Sequence, residues 1–202
     1  MECAPEDSKS FEWSCEIRGN VRGTARDESN ILSGMLETRN ATVGDAELIT
    51  RHRKAMFADA GDAPESTLDA MSRSFEPWVR RMLGEGKYAG WITCDGDRPV
   101  ASAGLLVLDW APHFLDPAGE HRGYVLNVFV EPEYRGRGLA RALMKECMAE
   151  ARRRGIRVVA LHASAKGQPV YEKLGFTTSN EMLFVDRVVR SGAGSISPNP
   201  RR

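Results

Sequence analysis

The sequence predicts one α/β domain over residues 35–189, a central mixed β-sheet flanked by helices. Three observations predict it. Residues 123–155 read as a buried strand, a glycine-bearing turn and a long amphipathic helix. Residues 156–163, Ile-Arg-Val-Val-Ala-Leu-His-Ala, then supply a second β-branched run, so a βαβ unit is the natural reading. Upstream, two helical stripes precede two apolar runs joined by Asp95-Gly96-Asp97, a hairpin turn signal.

Taken in order, residues 1–34 are polar with weak periodicity and read as a disordered extension, with Met35 one candidate for the native start. Residues 36–41 form a first strand. Thr42 and Asp45 resemble a capping box before a helix with Leu48, Ile49, His52 and Met56 on one face. Gly61 and Pro64 break that helix. Ser66 is the expected cap of a second helix, with a stripe of Leu68, Met71, Phe75, Trp78, Val79 and Met82 that Pro77 should kink or split. Strands follow at residues 88–94 and 99–109, the second with small residues at Ala101, Ser102, Ala103 and Gly104. Residues 110–122 make a loop in which His113, Asp116 and His121 can meet a substrate or simply be solvated.

The central strand, residues 124–130, is apolar except for Asn127, and Pro132 ends it because proline cannot donate to a ladder. Leu139 opens the long helix, with Ala140, Leu143, Met144, Cys147 and Ala151 on its core face and Gly155 at its end. Between strand and helix stand Arg135, Gly136, Arg137 and Gly138. A helix N-terminus carries free N–H groups and partial positive charge, and glycines let an anion approach the backbone. Residues 135–140 therefore read as a pyrophosphate cradle. A dinucleotide fold would want a third glycine where Arg141 stands, and a P-loop would want a Lys-Ser/Thr ending that is absent; a plain glycine turn is the bland alternative. A short helix begins near Gly167, Gly175 ends it, Phe176 packs back, and residues 177–185 suggest a last strand. Residues 190–202 read as a disordered tail.

Composition excludes little and favours little. Lys plus Arg and Asp plus Glu each number 28, so bulk charge offers no argument for nucleic acid or a membrane surface. The three arginines at 152–154 are more simply partners of the helix dipole than a nucleic-acid patch. The chain has no apolar run of membrane-spanning length and no apolar leader, and its four cysteines and four histidines have no metal-ligand spacing. A cytoplasmic protein with reduced thiols and no metal is expected.

The longer pattern Val130-x-Pro132-x-x-Arg135-Gly136-x-Gly138-x-Ala140 resembles the coenzyme A signature of the GNAT N-acetyltransferase superfamily, and Tyr171-Glu-Lys-Leu-Gly175-Phe176 resembles its second motif. The resemblance implies a sheet whose parallel strand pair splays apart to bind coenzyme A, and acetyl-CoA as co-substrate. It implies that Arg135, Gly136, Arg137, Gly138, Leu139 and Ala140 hold the pyrophosphate and that main-chain groups of Val128 and Val130 meet the pantetheine. Near Val128 a backbone N–H would polarise the thioester carbonyl. Tyr171 is expected to protonate the departing thiolate, since a phenol keeps its proton up to a pKa of ~10. Asn127 joins the catalytic set, either fixing the splay or facing the acceptor. Ser164 stands where the family often has an asparagine that contacts the coenzyme.

The implied reaction is acetyl transfer to a primary amine by direct attack, the acceptor being a small molecule or a peptide. A lysine-like amine of pKa ~10.4 is neutral about once in 2,500 molecules at pH 7, a handicap of roughly 4–5 kcal/mol, so a base is needed. Tyr124 stands where many relatives place a glutamate, which leaves Glu131, His52, His113 or a water chain as candidates. A non-catalytic acyl-CoA sensor would carry the same motif. Oligomeric state stays open, a homodimer included.

Overall fold

The computed structural model describes residues 36–61, 63–165 and 167–184; the expected N-terminal extension and C-terminal tail lie outside them. Eleven stretches follow in order: β1 (Leu36–Asn40), a 3₁₀ turn (Val43–Asp45), α1 (Ala46–Ala60), α2 (Glu65–Gly84), β2 (Tyr88–Asp95), β3 (Arg98–Asp109), β4 (His121–Val130), a second 3₁₀ turn (Pro132–Tyr134), α3 (Leu139–Arg153), β5 (Val159–Leu161) and α4 (Gln168–Glu172). The strands form one sheet in the order β1-β2-β3-β4-β5. Neighbours are antiparallel except β4 and β5, which α3 joins in parallel.

Strand alternation divides the side chains between two cores. On one face, Trp91, Ala101, Ala103, Leu105 and Val125 meet Leu143, Met144, Cys147 and Ala151 of α3. On the other, Tyr88 and Leu106 meet Ala46 and Ile49 of α1 and Phe75 and Val79 of α2. Leu143 and Met144 are fully buried, and side chains of that kind each contribute about 1.5–3 kcal/mol by leaving water. Helix α3 begins at Leu139 and carries the expected apolar stripe. It ends in a Schellman arrangement: Gly155 takes φ 72°, its N–H bonds Arg152 C=O, and Ile156 N–H bonds Ala151 C=O. Arg153 and Arg154 both grip Glu150, which keeps that carboxyl at about 2, well below its usual range. The turn at Thr42 is tied as expected, with Thr42 N–H donating to the Asp45 carboxylate at 2.7 Å.

Several boundaries differ from the sequence reading. Helix α2 starts at Glu65 behind Pro64, not at a Ser66 cap, because proline already holds the extended geometry a helix entry needs. Pro77 does not split it. The missing N–H removes one bond, while Phe75 and Val79 on either side are buried in the same core and the helix runs on through Pro77. His121 and Arg122 belong to β4, since Leu108 and Asp109 extend the ladder to meet them. The run 156–163 gives only the three-residue β5, and residues 177–184 form no strand.

Gly104 shows how closely the second core is fitted. A Cβ there would sit 1.9 Å from the Tyr88 hydroxyl oxygen, so the phenol lies along the α1 and α2 face of the sheet in the space this glycine leaves. Gly104→Ala should destabilise the fold by about 1–3 kcal/mol through overpacking. Urea titration monitored by tryptophan fluorescence measures it, and an unchanged midpoint would contradict the placement of Tyr88.

Candidate active site

The site begins with a defect in β4. Leu126 pairs with Gly104 and Phe129 with Ser102, so Asn127 and Val128 together oppose the single residue Ala103. This is a β-bulge, which re-aims the strand. Asn127 takes φ 59°, a left-handed conformation that asparagine tolerates better than most residues. The bulge changes the parity of the strand. Tyr124 and Leu126 face α1 and α2, whereas Val128 and Val130 face α3.

On its other edge β4 pairs with β5 only at Gly123, Tyr124 and Val125. From Leu126 onward that edge has no strand partner. Glu131 N–H bonds Val100 C=O of β3. Alternation therefore turns the main-chain groups of Val128 and Val130 to the open side. Arg135 Nε already donates to Val130 C=O at 2.9 Å, leaving the Val128 groups and Val130 N–H open.

A buried polar network holds the bulge. Asn127 is 2% exposed. Its Nδ2 donates to Tyr88 Oη at 3.1 Å and its Oδ1 accepts from Arg53 Nη1 at 2.7 Å. Ser102 Oγ lies 2.8 Å from His52 Nδ1 and also reaches Asn127 C=O. Burial pushes the Tyr88 phenol further up from its ordinary value. Burial, helped by Arg51, holds His52 down at about 4, so its imidazole is neutral and poorly suited to accept a proton. Arg53 and Tyr88 were not among the expected site residues. The available signals were an arginine among the inner positions of α1, four residues from both Ile49 and Phe57, and an Asn127 amide that needs partners.

The strand leads through Pro132–Tyr134 to the glycine turn. Gly136 and Gly138 take φ 78° and 82°, and a Cβ at either would meet nothing within 4 Å, so open space lies above them. No side chain caps α3, and its first turn holds no acid. The N–H groups of Leu139 and Ala140 consequently point into that space without competition. Arg137 lies over the Tyr134 ring at 4.8 Å and donates to Glu133 C=O. Arg135 is tied down, pairing with Asp59 of α1 as well as Val130.

Tyr171, on α4, packs on the same core face as Val128, Val130 and Leu139, with Phe176 edge-on at 6.2 Å. Its phenol is pushed up by burial and then by Cys147 nearby. Cys147 is itself raised to about 12 by burial and stays a thiol. Ser164 Oγ accepts Gly167 N–H at 3.2 Å and so caps the turn into α4, keeping its own proton to donate. His162, the first residue past β5, is hydrogen-bonded through Nδ1 to Tyr124 Oη where the β4–β5 pairing ends. His113 and Asp116 form their own small bridge in the 110–120 loop. A hollow of about 450 Å³ beside Trp110 and His121 lies at the start of β4. Six residues of strand, about 20 Å at the usual rise, separate it from Asn127.

A mixed sheet parted at a parallel pair, with a glycine-led helix at the mouth of the gap, is the N-acetyltransferase class of fold. The acetyltransferase (GNAT) family profile matches residues 52–176, and the chain belongs to that family. A GCN5-related N-acetyltransferase from Ralstonia eutropha JMP134 superposes with a TM-score of 0.72 at 41% identity, covering 74% of this chain and 97% of that one. A "predicted acetyltransferase" from Clostridium acetobutylicum, solved with acetyl-CoA, gives 0.71 at 26% identity over 78% and 100%. Glucosamine 6-phosphate N-acetyltransferase of Trypanosoma brucei brucei is 37% identical over 89 residues, 44% of this chain. The match spans 58% of that relative's length.

His52 gives the network a pH signature. The unfolded chain takes up a proton below about pH 6.5, whereas the folded protein does not until about 4. The native state is therefore favoured fully above 6.5 and loses up to about 3 kcal/mol as pH falls through that window. Urea midpoints for the wild type should drop between pH 7 and 4 more steeply than those for His52→Gln, and parallel profiles would contradict a neutral buried imidazole.

Proposed function

We propose that this chain transfers an acetyl group from acetyl-CoA to a primary amine by direct attack. The observation that carries the reading is the open edge of β4 after Val125, running from the Asn127 bulge to the uncapped N-terminus of α3. The residues fit the coenzyme: open space over Gly136 and Gly138 suits a pyrophosphate, and the unpaired edge suits an extended amide-bearing arm. When bound, acetyl-CoA supplies an activated acyl carbon. The main-chain N–H groups of 138–140 and the Arg137 guanidinium hold the phosphates. Val128 N–H faces the gap and stabilises charge developing on the acyl oxygen, because a fixed donor costs no reorganisation. Asn127 keeps that N–H aimed by holding the bulge. Tyr171, with its phenol raised, keeps its proton at neutral pH and delivers it to the departing sulfur. Arg135 secures the end of β4, and Ser164 sets the turn that presents α4.

For the amine's proton, the geometry favours His162 joined to Tyr124, a pairing that stands beside the splay. His52 is sealed behind Phe129, with ring centroids 4.8 Å apart, and its burial disfavours the imidazolium. The Trypanosoma relative's name makes an amino-sugar phosphate one acceptor to try.

Acetyl-CoA should bind and release thiol in the presence of a suitable amine. Gly138→Leu should raise the KM for acetyl-CoA by about ten-fold or more, equivalent to ~1.4 kcal/mol of lost binding. Tyr171→Phe should lower kcat about a hundred-fold or more with coenzyme binding kept. His162→Gln should lower kcat with the acetyl-CoA KM unchanged. Full kcat in either variant removes that residue from its role, and coenzyme binding without turnover on any amine would favour a sensor.

A further inference from the structure

Arg53 is the charged group this mechanism leaves unused. Its guanidinium sits between the rings of Phe57 and Phe75, 4.9 and 4.6 Å from their centroids. Nη1 is committed to Asn127 Oδ1, a neutral acceptor. Nε is buried and has no partner, and Nη2 makes no hydrogen bond but is not among the buried orphans, so it reaches solvent. No carboxylate among the described residues pairs with Arg53. Its neighbours differ: Lys54 holds Glu65 and Asp69, and Arg135 holds Asp59. Arg122 also leaves a buried Nε, yet it pairs with Glu181 at 2.6 Å.

An arginine stays charged under all ordinary conditions, and a half-buried cation without a counter-ion is costly. The two aromatic faces fix the plane of the fork, and Asn127 takes one corner. What remains is the Nε/Nη2 edge, in which Nε is buried and Nη2 is the charged donor that can meet an oxygen of a carboxylate or phosphate. That edge belongs to the wall formed by α1 and α2, beside the bulge that aims Val128 N–H into the gap.

We propose that Arg53 binds an anionic group of the acceptor, a carboxylate or phosphate a few bonds from the amine to be acetylated. This rests on the acetyl-transfer reading. The uncompensated charge selects for anionic amines, and the short distance from Arg53 through Asn127 to Val128 selects for compact ones. A substrate anion thereby completes an ion pair that the protein itself leaves half made.

Matched acceptors test it: glucosamine 6-phosphate against glucosamine, and glycine against glycinamide. The wild type should prefer the anionic member of at least one pair by about ten-fold or more in kcat/KM, the equivalent of one well-made charge contact. In Arg53→Gln that ratio should collapse toward one, whatever happens to the absolute rate. Arg53→Lys, which keeps the charge, should retain part of it and serves if the glutamine variant does not fold. An arginine that only supports the bulge would lower both members by the same factor and leave the ratio intact, and that result overturns the proposal, as does a wild type with no preference. A second arm needs no turnover. With CoA saturating, inorganic phosphate should raise the Tm of the wild type saturably and that of Arg53→Gln not at all; equal or absent shifts overturn the proposal. If acetyl-CoA binds and no amine reacts, the transfer reading fails and the phosphate arm alone decides the role of Arg53.

Discussion

The site depends on one buried amide. Asn127 occupies a left-handed conformation in the middle of an apolar strand, a state that costs free energy unless its surroundings hold it. Tyr88 and Arg53 do so from opposite sides of the side chain, one accepting from Nδ2 and one donating to Oδ1. Each comes from a different element, β2 and α1. The bulge is therefore fixed only when the sheet and the helical layer are both assembled. Removing the amide would take away both side-chain bonds that hold this conformation. Val128 N–H would then lose the direction that the bulge gives it.

That constraint explains choices elsewhere. Gly104 is required because the Tyr88 phenol passes through the position a Cβ would take. Ser102 is polar within a buried strand because it meets both His52 and the Asn127 carbonyl. A network of this sort contributes less net stability than an apolar core of equal volume would, since its groups leave water to make bonds. It gives direction in exchange. An apolar side chain at 127 has no partner that would hold a left-handed residue in place.

Parts of this were legible in the sequence. Helix α3 followed from periodicity and from Gly155, and both are local properties. The glycine turn followed from spacing, and Gly136 and Gly138 do take the positive φ that only glycine adopts freely. Asn127 stood out as polar in an apolar run, but its partners lie 39 and 74 residues away, and no local pattern connects them. The short length of β5 was hidden for the same reason. Residues 156–163 carry β-branched side chains at Ile156, Val158 and Val159, yet pairing ends where β4 turns away after Val125. At Pro77 local propensity allows a split, and α2 stays continuous because Phe75 and Val79 on either side are buried in one core.

Helix α1 joins the two halves of the site. Its middle carries Arg53, which touches the bulge, and its last turn carries Asp59, which pairs with Arg135. Arg135 in turn holds Val130 C=O at the end of β4. The strand segment 127–130 is thus gripped at both ends by α1, once directly and once through the first residue of the cradle. An exposed pair such as Arg135–Asp59 contributes little stability by itself. Its effect is geometric. With Arg135 tied between helix and strand, the groups left open at the turn are the backbone N–H groups at the uncapped start of α3. The glycine turn and the Asn127 bulge are thus both tied to α1.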